Sequence, residues 1–186
     1  MSNLKKVILI QTDITTFAVQ AIVNSANKSL LGGSGLDYII HKKAGPLMKT
    51  ECIQLHQEKG GCSTGQAEVT TAGNLPAQYL IHAVGPRWLD VERNEPQLLC
   101  DAYSNAIMKA NHVGVNTISF PNISTGVYGF PRQLAAEIAI GTILSTLPQY
   151  DCVEEVFFVC RDDENYLIYK EILSNINDPK IKIQIE

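Results

Sequence analysis

The sequence predicts an α/β protein in which helices cover both faces of a largely parallel β-sheet. Two observations predict this class. Short β-branched segments alternate with segments of helical periodicity from one end of the chain to the other, and most of the β segments are continuously apolar, as expected of strands covered on both faces. No internal repeat, low-complexity tract or linker-like stretch interrupts the alternation, so 186 residues are expected to form one domain.

Six segments have the length and composition of buried strands. They are residues 7–11, 20–23, 68–72, 79–83, 117–120 and 155–159. Near the C-terminus, Ile181, Ile183 and Ile185 alternate with polar residues, which fits either an edge strand or a frayed tail.

Five segments are predicted to be helical from their apolar steps of three and four residues and from their end signals. Pro96 suits the first turn of the third helix, Pro148 ends the fourth, and Asp162 and Asp163 offer N-cap oxygens to the fifth. The predicted helices are residues 35–43, 46–58, a stripe at 99–110, a stripe at 136–147, and a segment containing Tyr166, Tyr169 and Leu173.

Composition excludes several functional classes. There are 15 Lys and Arg against 19 Asp and Glu, a formal net charge of -4, and no basic run that would bind an extended nucleic acid. No apolar run reaches the roughly 18 to 20 residues that span a bilayer, and residues 1–10 do not follow the pattern of a signal peptide, so a cytoplasmic protein is expected. Five scattered cysteines without a CxxC pair favour reduced thiols over disulfides or a zinc site.

A glycine-rich loop after the second strand is the first candidate site. Asn24 and Asn27 precede Gly32–Gly33–Ser34–Gly35, and Asp37 lies in the helix that follows. Glycines let backbone N–H groups approach an anion, and the helix N-terminus adds free amides, so the loop suits a phosphate. Turn geometry alone is the alternative explanation. The loop is neither a P-loop, which needs Gly-Lys-Ser/Thr, nor a Rossmann loop, which needs glycine at Tyr38.

A second loop, residues 121–131, repeats the order of strand, small residues and helix. Ser124, Thr125, Gly126 and Gly129 can offer hydroxyls and amides to phosphate oxygens, while Tyr128 offers a flat surface to a sugar or base. Two such loops suggest a diphosphate between them. A turn closed by an aromatic core residue is again the alternative.

Asp13 follows the first strand and has two possible roles. It could cap the turn that contains Thr15 and Thr16, or it could accept a hydrogen bond from an exocyclic amine such as that of adenine.

Four motifs, in this order, resemble those of the macro domain family, and most closely its MacroD-type branch. They are Asp13-Ile14-Thr15; residues 23–46 with Asn24, Asn27, Asp37, His41 and Gly45-Pro46; residues 62–65 with 82–86; and Ser124-Thr125-Gly126-Val127-Tyr128-Gly129. The resemblance covers roughly residues 7–173. It implies a three-layer αβα sandwich on a mixed, largely parallel six-stranded sheet. It also implies that residues 1–186 form a single macro domain, with a core of about 5–175 and a tail or extra edge strand at 176–186.

The resemblance assigns roles to particular residues. Asp37 would orient or deprotonate the water and Asn27 would bind the distal ribose, which makes these two the candidate catalytic residues. Asp13 and Ile14 would hold the adenosine end. The full set of candidate substrate-binding residues is Asp13, Ile14, Asn24, Gly32, Gly33, Ser34, Gly35, Ser124, Thr125, Gly126, Val127, Tyr128, Gly129 and Arg161.

The implied activity is hydrolysis of ADP-ribose esters, either O-acetyl-ADP-ribose or mono-ADP-ribose on acidic side chains, by a positioned water and without a cofactor or metal. The alternative is a module that only binds ADP-ribose. Retention of both Asn27 and Asp37 favours the enzyme. Four departures from the family pattern bear on turnover more than on binding: Thr12, Ser34, Tyr38 and Arg161. The expected partner is an ADP-ribose-containing small molecule or a mono-ADP-ribosylated protein, not extended nucleic acid or membrane.

Overall fold

A computed structural model describes residues 4–89 and 93–186 and shows one mixed β-sheet between two layers of helices. The sheet order is β3-β4-β2-β5-β6-β1-β7, and neighbouring strands run parallel except for the antiparallel pair β3 and β4. The strands are β1 (Lys5–Gln11), β2 (Ala21–Ser25), β3 (Ala67–Thr71), β4 (Tyr79–Ala83), β5 (Thr117–Phe120), β6 (Glu155–Cys160) and β7 (Ile181–Ile185).

All six predicted strands are present, but the expected count of six is wrong because the C-terminal segment adds a seventh. β7 pairs in parallel with β1, with Lys5 opposite Ile181. Ile181 is buried, and the backbone N–H of Glu186 still donates to the carbonyl of Leu9 at 2.9 Å. The alternation at the C-terminus therefore marks an edge strand rather than a frayed tail.

The five predicted helices are present as α1 (Gly35–Ala44), α2 (Pro46–Lys59), α3 (Glu95–His112), α4 (Arg132–Thr146) and α5 (Asp163–Ser174). Asp162 caps α5 by accepting from the backbone N–H of Asn165 at 2.8 Å. Gly60 ends α2 with a φ of 76°, a conformation that glycine adopts without steric cost. Pro148 lies in a short 3₁₀ turn, Leu147–Gln149, just beyond α4.

Two hydrophobic clusters confirm the three layers. One cluster packs α3, α4 and α5 onto one face of the sheet, and the other packs α1 and α2 onto the opposite face. β1, β2, β5 and β6 are parallel, so their carboxyl ends share one edge, from which both candidate loops emerge. Among the described residues, no helix has the length and apolarity needed to cross a membrane.

Candidate active site

A cleft of about 570 Å³ lies at the carboxyl edge of the parallel strands, within the size range of small-molecule sites. The two candidate loops face each other across it. Of the residues predicted to form the site, the cleft is lined by Asp13, Ile14, Asn27, Gly33, Ser34, Gly35, Asp37, Ser124, Thr125, Gly126, Val127, Tyr128 and Arg161.

The first wall is the glycine-rich loop and the N-terminus of α1. Ser34 is the N-cap residue, with extended backbone (φ -109°) and no hydrogen bond from its side chain to the helix. Serine therefore fits this position without strain, and the interruption of the glycine run does not redirect the backbone. The first-turn N–H groups of α1 have no partner within the helix and are available to an anion in the cleft.

The second wall is the loop after β5. Among the described residues, no group accepts a hydrogen bond from the backbone N–H of Gly126, Val127 or Tyr128. Ser124 has a φ of 68°, and its hydroxyl is buried with no partner among the described residues. Its contact with a phosphate stays a prediction, and the loop offers the three backbone amides beside it.

Gly85 fixes the position of the second wall from behind. A Cβ added there would lie 2.2 Å from Ser124 Oγ and 2.5 Å from Ile123 Cγ2. The loop after β5 can therefore pack at its observed distance from β4 only if residue 85 has no side chain.

Gly85→Ala is expected to lower the free energy of unfolding by about 1–3 kcal/mol, because the new methyl group overpacks this contact. Gly141 on α4 is the matched control: an added Cβ there meets nothing within 4 Å, so Gly141→Ala should be neutral or stabilise by up to about 1 kcal/mol. Denaturant unfolding of both variants measures the effect, and equal stability of the two would contradict the packing argument.

One end of the cleft contains Asp13, which accepts from both the backbone N–H (2.9 Å) and the hydroxyl (2.7 Å) of Thr15 through Oδ1. These bonds hold the pKa of the Asp13 carboxyl below its usual value, assisted by Lys43 and Arg161. The nitrogens of Lys43 and Arg161 lie 3.6 and 3.8 Å from Oδ2. Asp13 thus closes a turn and also keeps a charged oxygen, Oδ2, as an acceptor, so its two suggested roles are compatible.

At another part of the cleft, Asp37 on α1 lies beside Asn27 and Gly33. Asp37 is 5% exposed. Asn27 Nδ2 donates to the carbonyl of Gly32 at 2.9 Å, and Asn27 Oδ1 accepts from Ser29. A Cβ on Gly33 would lie 2.9 Å from Asp37 Oδ2 and 3.0 Å from Asn27 Nδ2. Because residue 33 has no side chain, the Asp37 carboxylate and the Asn27 amide are both accessible from the cleft.

Three predicted site residues do not line the cleft. Asn24 is fully buried beneath it and donates to Asp37 Oδ1 at 2.7 Å, so its side chain supports the site from within the protein. Gly32 and Gly129 belong to the two loops but do not line the cleft. Gly32 faces the His41 ring, and the N–H of Gly129 donates to the carbonyl of Gly126. Their role is to shape the loops.

Three of the four arginines in the sequence line the cleft, and sequence reasoning singled out only one of them, Arg161. Arg87 stacks on Tyr128, with Cζ 5.5 Å from the ring centroid. Arg132, at the start of α4, pairs with Glu164 on α5. A single arginine belongs to no sequence motif. The positions of Arg87 in the loop that follows β4 and of Arg132 at the first residue of α4 were the only signals in the sequence that could have pointed to the cleft.

His41, Cys52 and His82 are the described residues that could hold a metal, because their ligand atoms lie within 4.8 Å of one another. Protons already occupy this cluster. Burial raises the pKa of the Cys52 thiol to about 12, and Thr70 Oγ1 lies 2.9 Å from His82 Nε2. A metal would have to displace the proton of the Cys52 thiol and break the hydrogen bond between Thr70 and His82. The three residues therefore fit a hydrogen-bonded core better than a metal centre.

Two further buried cysteines, Cys62 and Cys160, are not activated nucleophiles. Cys62 and Cys160 are buried, and burial raises the pKa of each thiol to about 11. A thiol with a raised pKa remains protonated at neutral pH and is a weak nucleophile. The cleft therefore offers a carboxylate, amides and arginines rather than a covalent catalyst.

The fold and the cleft together define an αβα protein whose cleft combines backbone amides suited to a diphosphate with the carboxylates of Asp13 and Asp37. Residues 23–139 match the sequence profile of the Macro domain. The chain belongs to the macro domain family.

Relatives of similar length support this assignment. The chain is 80% identical over 182 residues to a macro domain-containing protein of an Acinetobacter species, covering 98% of this chain and all of the relative. It is 49% identical to an O-acetyl-ADP-ribose deacetylase of Escherichia fergusonii and 46% identical to one of Escherichia coli K12, each covering 91% of this chain and 96% of the relative.

Solved structures of the family superpose closely. A macrodomain of Oceanobacillus iheyensis with ADP has a TM-score of 0.84 and 38% identity, covering 89% of this chain and 88% of that one. A Trypanosoma brucei macrodomain in complex with ADP-ribose has a TM-score of 0.80 and 35% identity, covering 89% of this chain and 68% of that one.

Proposed function

We propose that this protein is a hydrolase of ADP-ribose esters that removes the acetyl group from O-acetyl-ADP-ribose and mono-ADP-ribose from acidic side chains. The observation that carries the proposal is the buried carboxylate of Asp37 beside Asn27, in a cleft lined by backbone amides that have no hydrogen-bond partner within residues 4–89 and 93–186. The Escherichia relatives named O-acetyl-ADP-ribose deacetylases support it, since they align with almost the whole chain.

The diphosphate would lie between the N-terminus of α1 and the amides of Gly126, Val127 and Tyr128. Amides and a helix dipole bind phosphate without a lysine or arginine, which is compatible with a net charge of -4. Asp13 Oδ2 would accept from the adenine amine with Ile14 beside it, and Arg161 would contribute a planar guanidinium at the same end.

Hydrolysis requires a water held against the ester. Asp37 Oδ2 would bind this water and accept its proton, while Asn27 would hold the distal ribose hydroxyls. The water oxygen bonds to the ester carbon, the ester C–O bond breaks, and the ribose oxygen takes up a proton, so that ester plus water gives a carboxylic acid and a free hydroxyl. Placement supplies most of the rate gain because the ester is already activated and the amides favour developing negative charge.

Binding without turnover is the alternative function, and it differs in what it requires of the site. A binding module has no need for a buried carboxylate whose second oxygen faces the ribose position. The burial of Asp37 and its bond from Asn24 favour the enzyme. Tyr38, the bulky residue after the acid, is 57% exposed, so its ring points away from the interior and leaves Asp37 free.

Two measurements test the proposal. Calorimetric titration with ADP-ribose should give saturable binding, and no heat at millimolar ligand would reject both functions. Incubation with O-acetyl-ADP-ribose, and with a protein mono-ADP-ribosylated on glutamate, should release acetate and ADP-ribose respectively. Binding without either release would instead assign the protein as an ADP-ribose-binding module.

The proposal also covers the domain organisation of the protein, its partners and its location in the cell. The whole of residues 1–186 would act as a single macro domain, with core residues of about 5–175 and the edge strand β7 completing the sheet. Its partners would be ADP-ribose compounds and mono-ADP-ribosylated proteins in the cytoplasm, and the acidic charge disfavours extended nucleic acid and anionic membranes as ligands.

A further inference from the structure

A line of four buried polar side chains crosses the sheet beneath the cleft and ends at Asp37. It runs from Thr70 on β3 through His82 on β4 and Asn24 on β2 to α1, and each member is no more than 5% exposed. Asn24 and His82 are register partners on the parallel strands β2 and β4, which places their side chains next to each other on the same face.

The number of hydrogens available to each side chain decides which group donates and which accepts along this line. Thr70 Oγ1 donates its single proton to the carbonyl of Thr71 at 2.9 Å, so it can only accept from His82 Nε2, also at 2.9 Å. Nε2 therefore carries the imidazole proton and Nδ1 carries a lone pair.

The lone pair on His82 Nδ1 fixes the amide of Asn24. Asn24 Nδ2 donates one hydrogen to Nδ1 at 3.2 Å and the other to Asp37 Oδ1 at 2.7 Å. Asn24 Oδ1 is left buried with no partner in the described part of the chain, which is the energetic cost of this orientation. A flipped amide would satisfy neither neighbour, since it would place an oxygen against both the lone pair and the carboxylate.

Asp37 has a competing neighbour on its own helix. His41 Nε2 lies 3.4 Å from Asp37 Oδ1, yet it is buried and makes no hydrogen bond to any residue that the structure describes. The amide of Asn24 holds Oδ1 in its place, and Oδ2 is then the oxygen that lies beside Gly33 in the cleft wall. Without Asn24, Asp37 could turn towards His41.

We infer that Thr70, His82 and Asn24 are positioning residues, which hold one oxygen of Asp37 inside the protein and present the other to the substrate. The inference rests on the proposed hydrolase function and adds residues that never touch the substrate. The line requires a neutral His82, and burial meets this requirement because it lowers the pKa of the imidazole to about 4. Cys52, 3.6 Å from Nε2, remains a neutral thiol beside it.

Thr70→Val is the sharpest test, because it preserves shape and removes only the acceptor of the His82 proton. We expect kcat for ester hydrolysis to fall roughly 10-fold or more, by analogy with the outer partners that orient metal ligands, while Kd for ADP-ribose changes less than about 3-fold. Asn24→Leu should show the same split with a larger fall in kcat. Thr142→Val on α4 makes the same substitution at a buried threonine remote from Asp37 and should leave kcat unchanged.

A spectroscopic measurement keeps the test independent of folding losses. The imidazole ¹⁵N spectrum of wild type at pH 7 should show His82 protonated on Nε2 only, and Thr70→Val should populate the Nδ1-protonated form. Nδ1 protonation in wild type would overturn the inference.

The kinetic outcomes separate this inference from the proposed function. Unchanged kcat in folded Thr70→Val and Asn24→Leu would overturn the positioning role, and so would parallel losses of kcat and ADP-ribose binding, which indicate a structural role alone. Absence of hydrolysis by wild type would overturn the proposed function itself, and the inference with it.

Discussion

Asp37→Ala is expected to lower kcat for ADP-ribose ester hydrolysis by about 10²–10⁴-fold, the contribution usual for a positioned acid or base. Kd for ADP-ribose should change little, because the substitution leaves in place the backbone amides and the Asp13 carboxylate that would hold the diphosphate and the adenosine. Asp37 is buried, and the expected loss follows from removing the carboxylate oxygen beside Gly33 that would hold the water. Steady-state kinetics with O-acetyl-ADP-ribose and calorimetry with ADP-ribose measure the two quantities.

Asn27→Ala should behave differently, because Asn27 would bind the ribose in both the ground state and the transition state. Its loss is expected to weaken ADP-ribose binding as well as turnover. Asp151→Ala removes an exposed aspartate far from the cleft and should alter neither quantity. Release of acetate at the wild-type rate by Asp37→Ala would reject the assignment of the water to this carboxylate.

The loops were predictable because their signals are local. Glycines, asparagines and a following helix lie next to one another in residues 24–37, and turn chemistry and helix ends depend on such neighbours. The six predicted strands follow from continuous apolar runs for the same reason. Asp162 as the N-cap of α5 is another local signal, and the structure confirms it.

The parts that sequence could not supply depend on contacts between distant residues. His82 is a buried residue with hydrogen-bond partners, but its partner Asn24 lies 58 positions away and the location of its proton depends on Thr70. The alternating pattern of the seventh strand fits either an edge strand or a frayed tail. Only the free edge of β1, with which the segment pairs, decides between the two. Pairings of this kind become visible only when the sheet order is known.

Ser124 shows a subtler limit. Its residue type suggests a hydroxyl that binds phosphate, yet in the structure the hydroxyl is buried against Gly85, at a residue with a positive φ. Backbone conformation and packing decide which way a polar side chain points, and residue type alone does not show them.

The free energy of unfolding is expected to fall by about 3 kcal/mol between pH 7 and pH 4, and we assign this loss to His82. Burial lowers the pKa of the folded-state imidazole from its ordinary value of 6.5 to about 4; the nearby His41 adds to this effect and Asp37 opposes it. In the unfolded chain the imidazole is free to bind a proton as pH falls below 6.5, whereas in the folded protein it binds one only near pH 4. The stabilisation is therefore complete above pH 6.5 and is lost as pH falls to 4, at about 1.4 kcal/mol for each tenfold difference in proton affinity.

The carboxylates of Asp13 and Asp162 contribute to pH-dependent stability mainly below this window. Their pKa values are held below the ordinary value of 3.8, so the stability that they contribute is lost as pH falls below that value. Denaturant unfolding at pH 7, 6, 5 and 4 measures the slope. His82→Asn lacks an ionisable group and can still accept from Asn24, so its slope between pH 6.5 and 4 should be much shallower than that of wild type. Equal slopes would assign the acid sensitivity to another residue. They would also show that His82 binds a second proton in the folded protein as readily as in the unfolded chain. The hydrogen-bonded line to Asp37 does not allow this, because it requires a neutral His82.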